Sequence, residues 1–155
     1  MAIEFDNPAH AADFIRLNEQ WISTHFVLEA ADRALAAHPF KVVENGGHIL
    51  SLVEAGRVVG VCALFKEGDG RYQLARMAVA PEARGLGYGE QLITAALALA
   101  QQRGATSVFL LSNTVLTAAI ALYRKHGFVT VSECQHPVYA RCNIVMEKHF
   151  AETLP

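Results

Sequence analysis

Cysteine is scarce: Cys62, Cys134 and Cys142 are the only three in 155 residues, and no two share a C-x-x-C spacing. An odd number cannot all pair within one chain, so a disulfide-framed secreted mini-fold is excluded and a reducing, cytoplasmic setting is expected. Positive charge is also in short supply, with 13 Lys and Arg against 15 Asp and Glu and a net charge of −2. That balance excludes a generally basic nucleic-acid binder, so no nucleic-acid partner is expected. Charges or glycines interrupt every apolar stretch before it reaches the roughly 20 residues needed to span a bilayer, so no membrane partner is expected. The opening residues, Met1 to Pro8, lack the basic and apolar regions of a signal peptide. Seven histidines are scattered without i,i+4 pairing to another ligand, so no metal site is expected. There is no internal repeat, low-complexity tract or long linker, and the chain reads as one domain, residues 1–155. What remains is 52% hydrophobic and 18% charged, the composition of a soluble domain with a sizeable core.

Periodicity gives the elements. Apolar residues at 3–4 residue intervals predict a helix from Pro8 to about Trp21, and a shorter one from about Leu28 to Ala37 stops before His38-Pro39. His48–Val53 and Arg57–Phe65 are β-rich runs joined by a tight turn, and Tyr72–Val79 is a third strand. An Ala- and Leu-rich helix runs from Gly87 to about Arg103, stopped by Gly104. Ser107–Leu111 reads as a buried apolar strand, Thr114–His126 as a helix, and Phe128–Cys134 and Asn143–Met146 as closing strands. The order is βααβββαβαββ. Antiparallel strands followed by a βαβ unit imply an α/β fold with a mixed sheet and helices on both faces.

The segment Ala80–Gly89, APEARGLGYG, joins a strand to the long helix. Three glycines in its last five residues permit backbone angles closed to other residues, so several N–H groups can converge at the positive end of the helix. A pyrophosphate suits such a concavity; a tight turn with no ligand is the plain alternative. No Gly-Lys-Ser/Thr is present, which excludes a P-loop, and Glu90 stands where the third glycine of G-x-G-x-x-G would fall.

Arg84-x-x-Gly87-x-Gly89 resembles the Q/R-x-x-G-x-G/A acetyl-CoA signature of the GCN5-related N-acetyltransferase (GNAT) superfamily. Downstream, Ala119–Phe128 (AIALYRKHGF) is similar to that family's A-I-x-L-Y-x-K-x-G-F segment, one helix and one strand further on. The element order extends the resemblance over essentially the whole chain. The resemblance implies an acyl-CoA N-acyltransferase fold and acetyl-CoA as co-substrate. It implies main-chain contacts to the pantetheine arm from Met77, Ala78 and Val79. It also implies amide contacts to the pyrophosphate from Arg84, Gly85, Leu86, Gly87, Tyr88, Gly89 and Glu90. Tyr123 matches the tyrosine that often protonates the departing thiolate, and the backbone amide of Val79 is a candidate to polarise the thioester carbonyl. A small-molecule or peptide amine is the implied acceptor, and because relatives are often dimers a homodimer stays open.

Two positions depart from the family. Gln73 stands where many relatives carry a glutamate that helps deprotonate the amine, and an amide is no base at neutral pH. His48, Glu44 and His136 are the candidate substitutes. Leu116 stands where many relatives carry an asparagine, and Asn113 can take over contact with the cofactor or serve as a helix cap. Tyr139, Arg141 and Asn143, before the last strand, could line an acceptor pocket or a sheet edge. The cysteines read as small buried hydrophobes. The reading is an acetyl-CoA-dependent N-acetyltransferase acting by direct attack of a primary amine. Its rivals are a non-catalytic acyl-CoA sensor of the same fold and a nucleotide binder.

Overall fold

A computed structural model describes residues 1–151. Four strands open the sheet: β1 (Ala2–Phe5), β2 (His48–Glu54), β3 (Arg57–Lys66) and β4 (Arg71–Val79). Between β1 and β2 lie α1 (Ala11–His25), α2 (Ala30–Ala37) and the one-turn α3 (Lys41–Glu44). After β4 come α4 (Tyr88–Gln102), β5 (Ser107–Ser112), α5 (Thr117–Lys125), β6 (Val129–Ser132) and β7 (Ile144–His149). The described strands form a seven-stranded sheet in the order β1-β2-β3-β4-β5-β7-β6. The β4–β5 pair is parallel and the other pairs are antiparallel, which makes the sheet mixed, as the sequence implied.

Alternation along the strands sorts the two faces. Leu50, Leu52, Cys62 and Leu64 are fully buried with Leu92, Ile93, Ala96 and Ala100 of α4. A methyl group added at Gly60 would sit 3.1 Å from Leu92 Cδ1, so the helix rests directly on the β3 backbone. The opposite face is covered by α1, whose Phe14 and Leu17 are buried. Each such aliphatic or aromatic side chain contributes roughly 1.5–3 kcal/mol of apolar burial. Local signals agree with this packing. The Glu29 and Asp32 side chains form a capping box that starts α2, and Gly87 enters α4 in the left-handed region at φ +79°.

Helix α1 runs on to His25 and β7 to His149, past the expected Trp21 and Met146, and three further differences have a visible local cause. The α3 turn was not expected, because four residues are too few to show a period; the N–H groups of Asn45, Gly46 and Gly47 close it on Lys41, Val43 and Val42. Helix α5 begins at Thr117, three residues later than Thr114, because Asn113 and Asn143 side chains take the Val115 and Thr114 N–H groups into a non-helical turn. The strand expected over Phe128–Cys134 is confined to β6, and Cys134 lies exposed in the loop beyond it. That corrects its reading as a buried hydrophobe, whereas Cys62 and Cys142 are buried.

Candidate active site

The sheet parts where β4 leaves β5. Their pairing covers only Arg71–Gln73 against Ser107–Phe109, after which β5 stays with β7 as far as Ser112 while β4 stays with β3 as far as Val79. A bulge accompanies the parting. Ala63 pairs with Ala75 and Val61 with Ala78, so Cys62 alone faces both Arg76 and Met77. Arg76 adopts φ +58°, a left-handed conformation that costs a non-glycine residue about 1–2 kcal/mol. The inserted residue re-aims the strand: Ala75 lies on the α1 face by register, and Arg76 beside it reaches Asp32 of α2 instead of alternating toward α4. Further along, the Ala80 N–H donates to Val59 on β3 at 2.8 Å. Successive amides point to opposite edges, so the Val79 N–H faces the open gap.

At the mouth of the gap, the glycine loop turns into α4. The first bond of that helix runs from Gln91 N–H to the Gly87 carbonyl. Among the described residues, the N–H groups of residues 85–90 find no acceptor. Unpaired donors of a helix start, joined by a left-handed glycine, form a concavity for an anion. Exposed Arg84 lies beside it with no carboxylate partner among the described residues. The side chains nearby are held elsewhere. Tyr88 is buried and its hydroxyl donates to Glu54 at 2.6 Å, a hydrogen bond that raises its pKa. Glu90 pairs with Lys125 at 2.7 Å and His126 at 3.3 Å, and the Lys125 contact is the chief cause of its lowered pKa. The negative charge nearest the loop is thereby offset.

A cavity of about 540 Å³ runs from Arg84 along the parted strands to α1, and residues 85–90 lie outside its lining. Tyr123, Met77, Ala78, Val79, Arg84 and Asn113 all line it. Tyr123 packs edge-on against Phe128 at 6.0 Å between ring centres, and its hydroxyl has no hydrogen-bond partner among the described residues. Burial first, then the neighbouring Cys62, pushes its pKa up to about 12, so it carries its proton at neutral pH. Burial likewise pushes the Cys62 thiol up to about 12, which leaves no thiolate there to act as a nucleophile.

The far wall is a charged clamp that the sequence reading did not find. Arg141 grips Asp32 with both terminal nitrogens at 2.7 Å, and its Nη1 also donates to Glu29 at 3.0 Å. Arg76 donates to Asp32 Oδ1, which it shares with Arg141 Nη2, and, at 2.8 Å, to the Tyr139 hydroxyl. Burial would raise the Asp32 pKa, but hydrogen bonds from Arg141, the Glu29 N–H and Arg76 outweigh it and lower the value to about 2. The 133–143 loop is thus fastened to Glu29 and Asp32 at the start of α2 with the Arg141 charge cancelled, and Tyr139 and Arg141 face the cavity as wall. Two signals could have exposed this. Arg76 shares strand parity with buried Tyr72 and Leu74, and Glu29 and Asp32 have capping-box spacing.

The candidate bases do not gather at Tyr123. His48 is bound to Asp6 at 2.8 Å and borders a different hollow, beside α4. Glu44 is exposed at the end of α3. The Nδ1 of His136 accepts the N–H groups of Val138 and Tyr139, which ties its own loop. Gln73 does line the cavity, and so does Glu67, which the sequence did not single out. Asn113 has both amide atoms engaged, Oδ1 by Val115 N–H and Nδ2 by the Arg141 carbonyl, so it braces the loop. Asn143 holds Thr114 in the same brace.

Comparison with known proteins agrees with this architecture. The chain is 31% identical over 125 residues to N-acetyltransferase family 8 member 2 of Rattus norvegicus, covering 78% of this chain and 52% of that protein. It therefore spans about half the length of the curated relatives it matches. A GNAT-family acetyltransferase structure from Staphylococcus aureus superposes with a TM-score of 0.82 at 15% identity, over 96% of this chain and 99% of that one. The yncA structure from Salmonella typhimurium, solved with its cofactor acetyl-CoA, gives 0.79 at 18% identity over 100% and 96%. These two likenesses show the fold. The family profile described as Acetyltransferase (GNAT) family matches residues 13–128, and the chain belongs to that family.

Proposed function

We propose that this chain transfers an acetyl group from acetyl-CoA to a primary amine by direct attack. The observation that carries the reading is the row of unpartnered N–H groups at residues 85–90, following Arg84 at the edge of the cavity. A diphosphate meets those donors with Arg84 beside it. The pantetheine arm then lies along the free edge of β4, where Met77, Ala78 and Val79 offer main-chain groups as a neighbouring strand would. That path brings the thioester to the Val79 N–H and to Tyr123.

The neutral amine attacks the thioester carbonyl carbon, forming the C–N bond as the C–S bond breaks. The Val79 N–H stabilises charge developing on the carbonyl oxygen. The sulfur leaves as thiolate and takes the Tyr123 proton, while the proton lost from nitrogen passes through solvent and restores the phenol. The sum is ammonium plus acetyl-CoA giving amide, CoA thiol and a proton. Alignment of two bound reactants supplies the remaining acceleration. Three free thiols fit a reducing, cytoplasmic compartment. Among the described residues, no helix is long and apolar enough to cross a membrane.

Thiol release from acetyl-CoA over an amine panel tests the proposal. Tyr123→Phe is expected to lower kcat by about 100-fold or more with little change in acetyl-CoA affinity. Tight acetyl-CoA binding with no turnover on any amine would favour the sensor reading, which Gln73 in place of glutamate keeps in play.

A further inference from the structure

Helix α1 turns one strip of its surface to the cavity: Asn18, Trp21 and Ile22 at i, i+3 and i+4, with Phe26 just past its end. Asn18 is only 4% exposed, and its Nδ2 donates to the Phe14 carbonyl at 2.9 Å, one turn back. A carbonyl can only accept, so this bond fixes which end of the amide faces the helix and turns Oδ1 away from it. Among the described residues Oδ1 has no donor, and it stays open to the cavity. Trp21 can offer only an indole N–H, which makes Oδ1 the one side-chain acceptor of the strip. A buried amide oxygen that serves nothing inside the fold costs stability that an apolar side chain in its place would not. Across from α1, Ala75 and Ala78 share its face of β4 by register, opposite Ala63 and Val61, and both border the cavity. The chain enters α1 from Asp6, which pairs with Ile49 and so lies level with Ala63 and Ala75. It leaves α1 for α2, where Asp32 meets Arg76. The Val79 amide lies three to four residues further along β4, about 10–13 Å, so α1 is set back from the thioester.

Resting on the reading of this cavity as the acceptor site, we infer that Asn18 selects the acceptor. The amine carries on its body, apart from the reacting nitrogen, an uncharged O–H or N–H donor that meets Oδ1. The carbons around that donor lie against Trp21 and Ile22. An acceptor without the donor strips water from Oδ1 and returns nothing, and a site built around a hydrogen bond rejects such an analogue strongly. A second ammonium at this point would exchange its hydration for one neutral amide oxygen, so the donor is uncharged.

Trp21 is the only tryptophan of the chain and stands one turn from Asn18, so its fluorescence reports occupancy without turnover. With the protein saturated in CoA, two matched pairs of amines are titrated. Tyramine and 2-phenylethylamine differ by a hydroxyl; phenylalaninamide and phenylalanine N,N-dimethylamide differ by the amide N–H. In at least one pair the donor-bearing member should bind about tenfold or more tighter. The pair that separates names the source of the donor, the hydroxyl of a small amine or the amide of a peptide-like acceptor. Asn18→Leu should bring the members of that pair within about twofold of each other. Where leucine unsettles α1, Asn18→Ala takes its place, since alanine favours the helix. The comparison on the parent chain needs no variant at all. Pairs that bind alike on the parent, no response to any of the four amines, or a preference that survives the loss of Asn18 would overturn the inference. The donor preference without thiol release would uphold it while the acetyl-transfer reading falls. Thiol release with equal affinity across both pairs would do the reverse.

Discussion

Replacing Asp32 with asparagine tests the clamp. The Asp32 side chain is 3% exposed and accepts from two guanidinium groups that are themselves 8% and 12% exposed. An amide at this position would keep the shape and one acceptor oxygen but leave two buried cations with only Glu29 to answer them. Breaking a buried pair in this way costs about 3–5 kcal/mol, and the retained oxygen places the expected loss near about 3 kcal/mol. For a chain of this length that lowers Tm by about 6–12 °C. Acid gives a second readout. The Asp32 pKa falls from 3.8 to about 2 on folding, so its contribution is complete above the unfolded value and disappears as pH drops through the folded one. The difference amounts to about 2 kcal/mol, which the parent should lose between about pH 4 and 2 and Asp32→Asn should not. Urea unfolding at neutral pH and at steps down to pH 2 measures both. A variant that melts within about 2 °C of the parent, or loses as much stability in acid, refutes the reasoning.

Other perturbations reach different parts of the molecule. Gly47→Ala would place a methyl 2.3 Å from the Leu64 carbonyl oxygen and 2.8 Å from that of Val42, neither of which can rotate away; a loss of about 1–3 kcal/mol in urea unfolding is expected. Gly87→Val puts a β-branched residue at φ +79° with open space around it; calorimetry should show acetyl-CoA binding weakened about tenfold or more, and the backbone strain of about 1–2 kcal/mol should lower Tm by about 2–8 °C. Cys62→Ala removes a thiol whose pKa is about 12; direct attack predicts kcat within about threefold of the parent and no burst of CoA release in stopped-flow.

The sheet and the glycine loop were legible because their signals are local. Leu50, Leu52, Cys62 and Leu64 announce a buried face by alternation, and APEARGLGYG announces a turn into a helix by composition. Tyr123 was found through the segment that surrounds it, and it does border the cavity. The clamp was not legible, because Glu29, Arg76 and Arg141 meet across more than 100 residues of sequence and each alone reads as a solvated charge. Trp21 and Phe26 were hidden differently: on a helix, an apolar side chain that borders a hollow has the same period as one that borders the core. The late start of α5 turns on the Asn113 and Asn143 side chains, which periodicity does not register, and α3 is a single turn closed by backbone bonds.

The bulge at Arg76 has a consequence for how such a protein can change. Its backbone bulges β4 where the strand parts from β5, and its guanidinium fastens the 133–143 loop that walls the cavity. A loop transplanted from a relative would arrive without its counter-charges unless positions 29, 32 and 76 travelled with it. The shape of that wall is written as a set of distant letters, and a change to one of them alone would first loosen the fold.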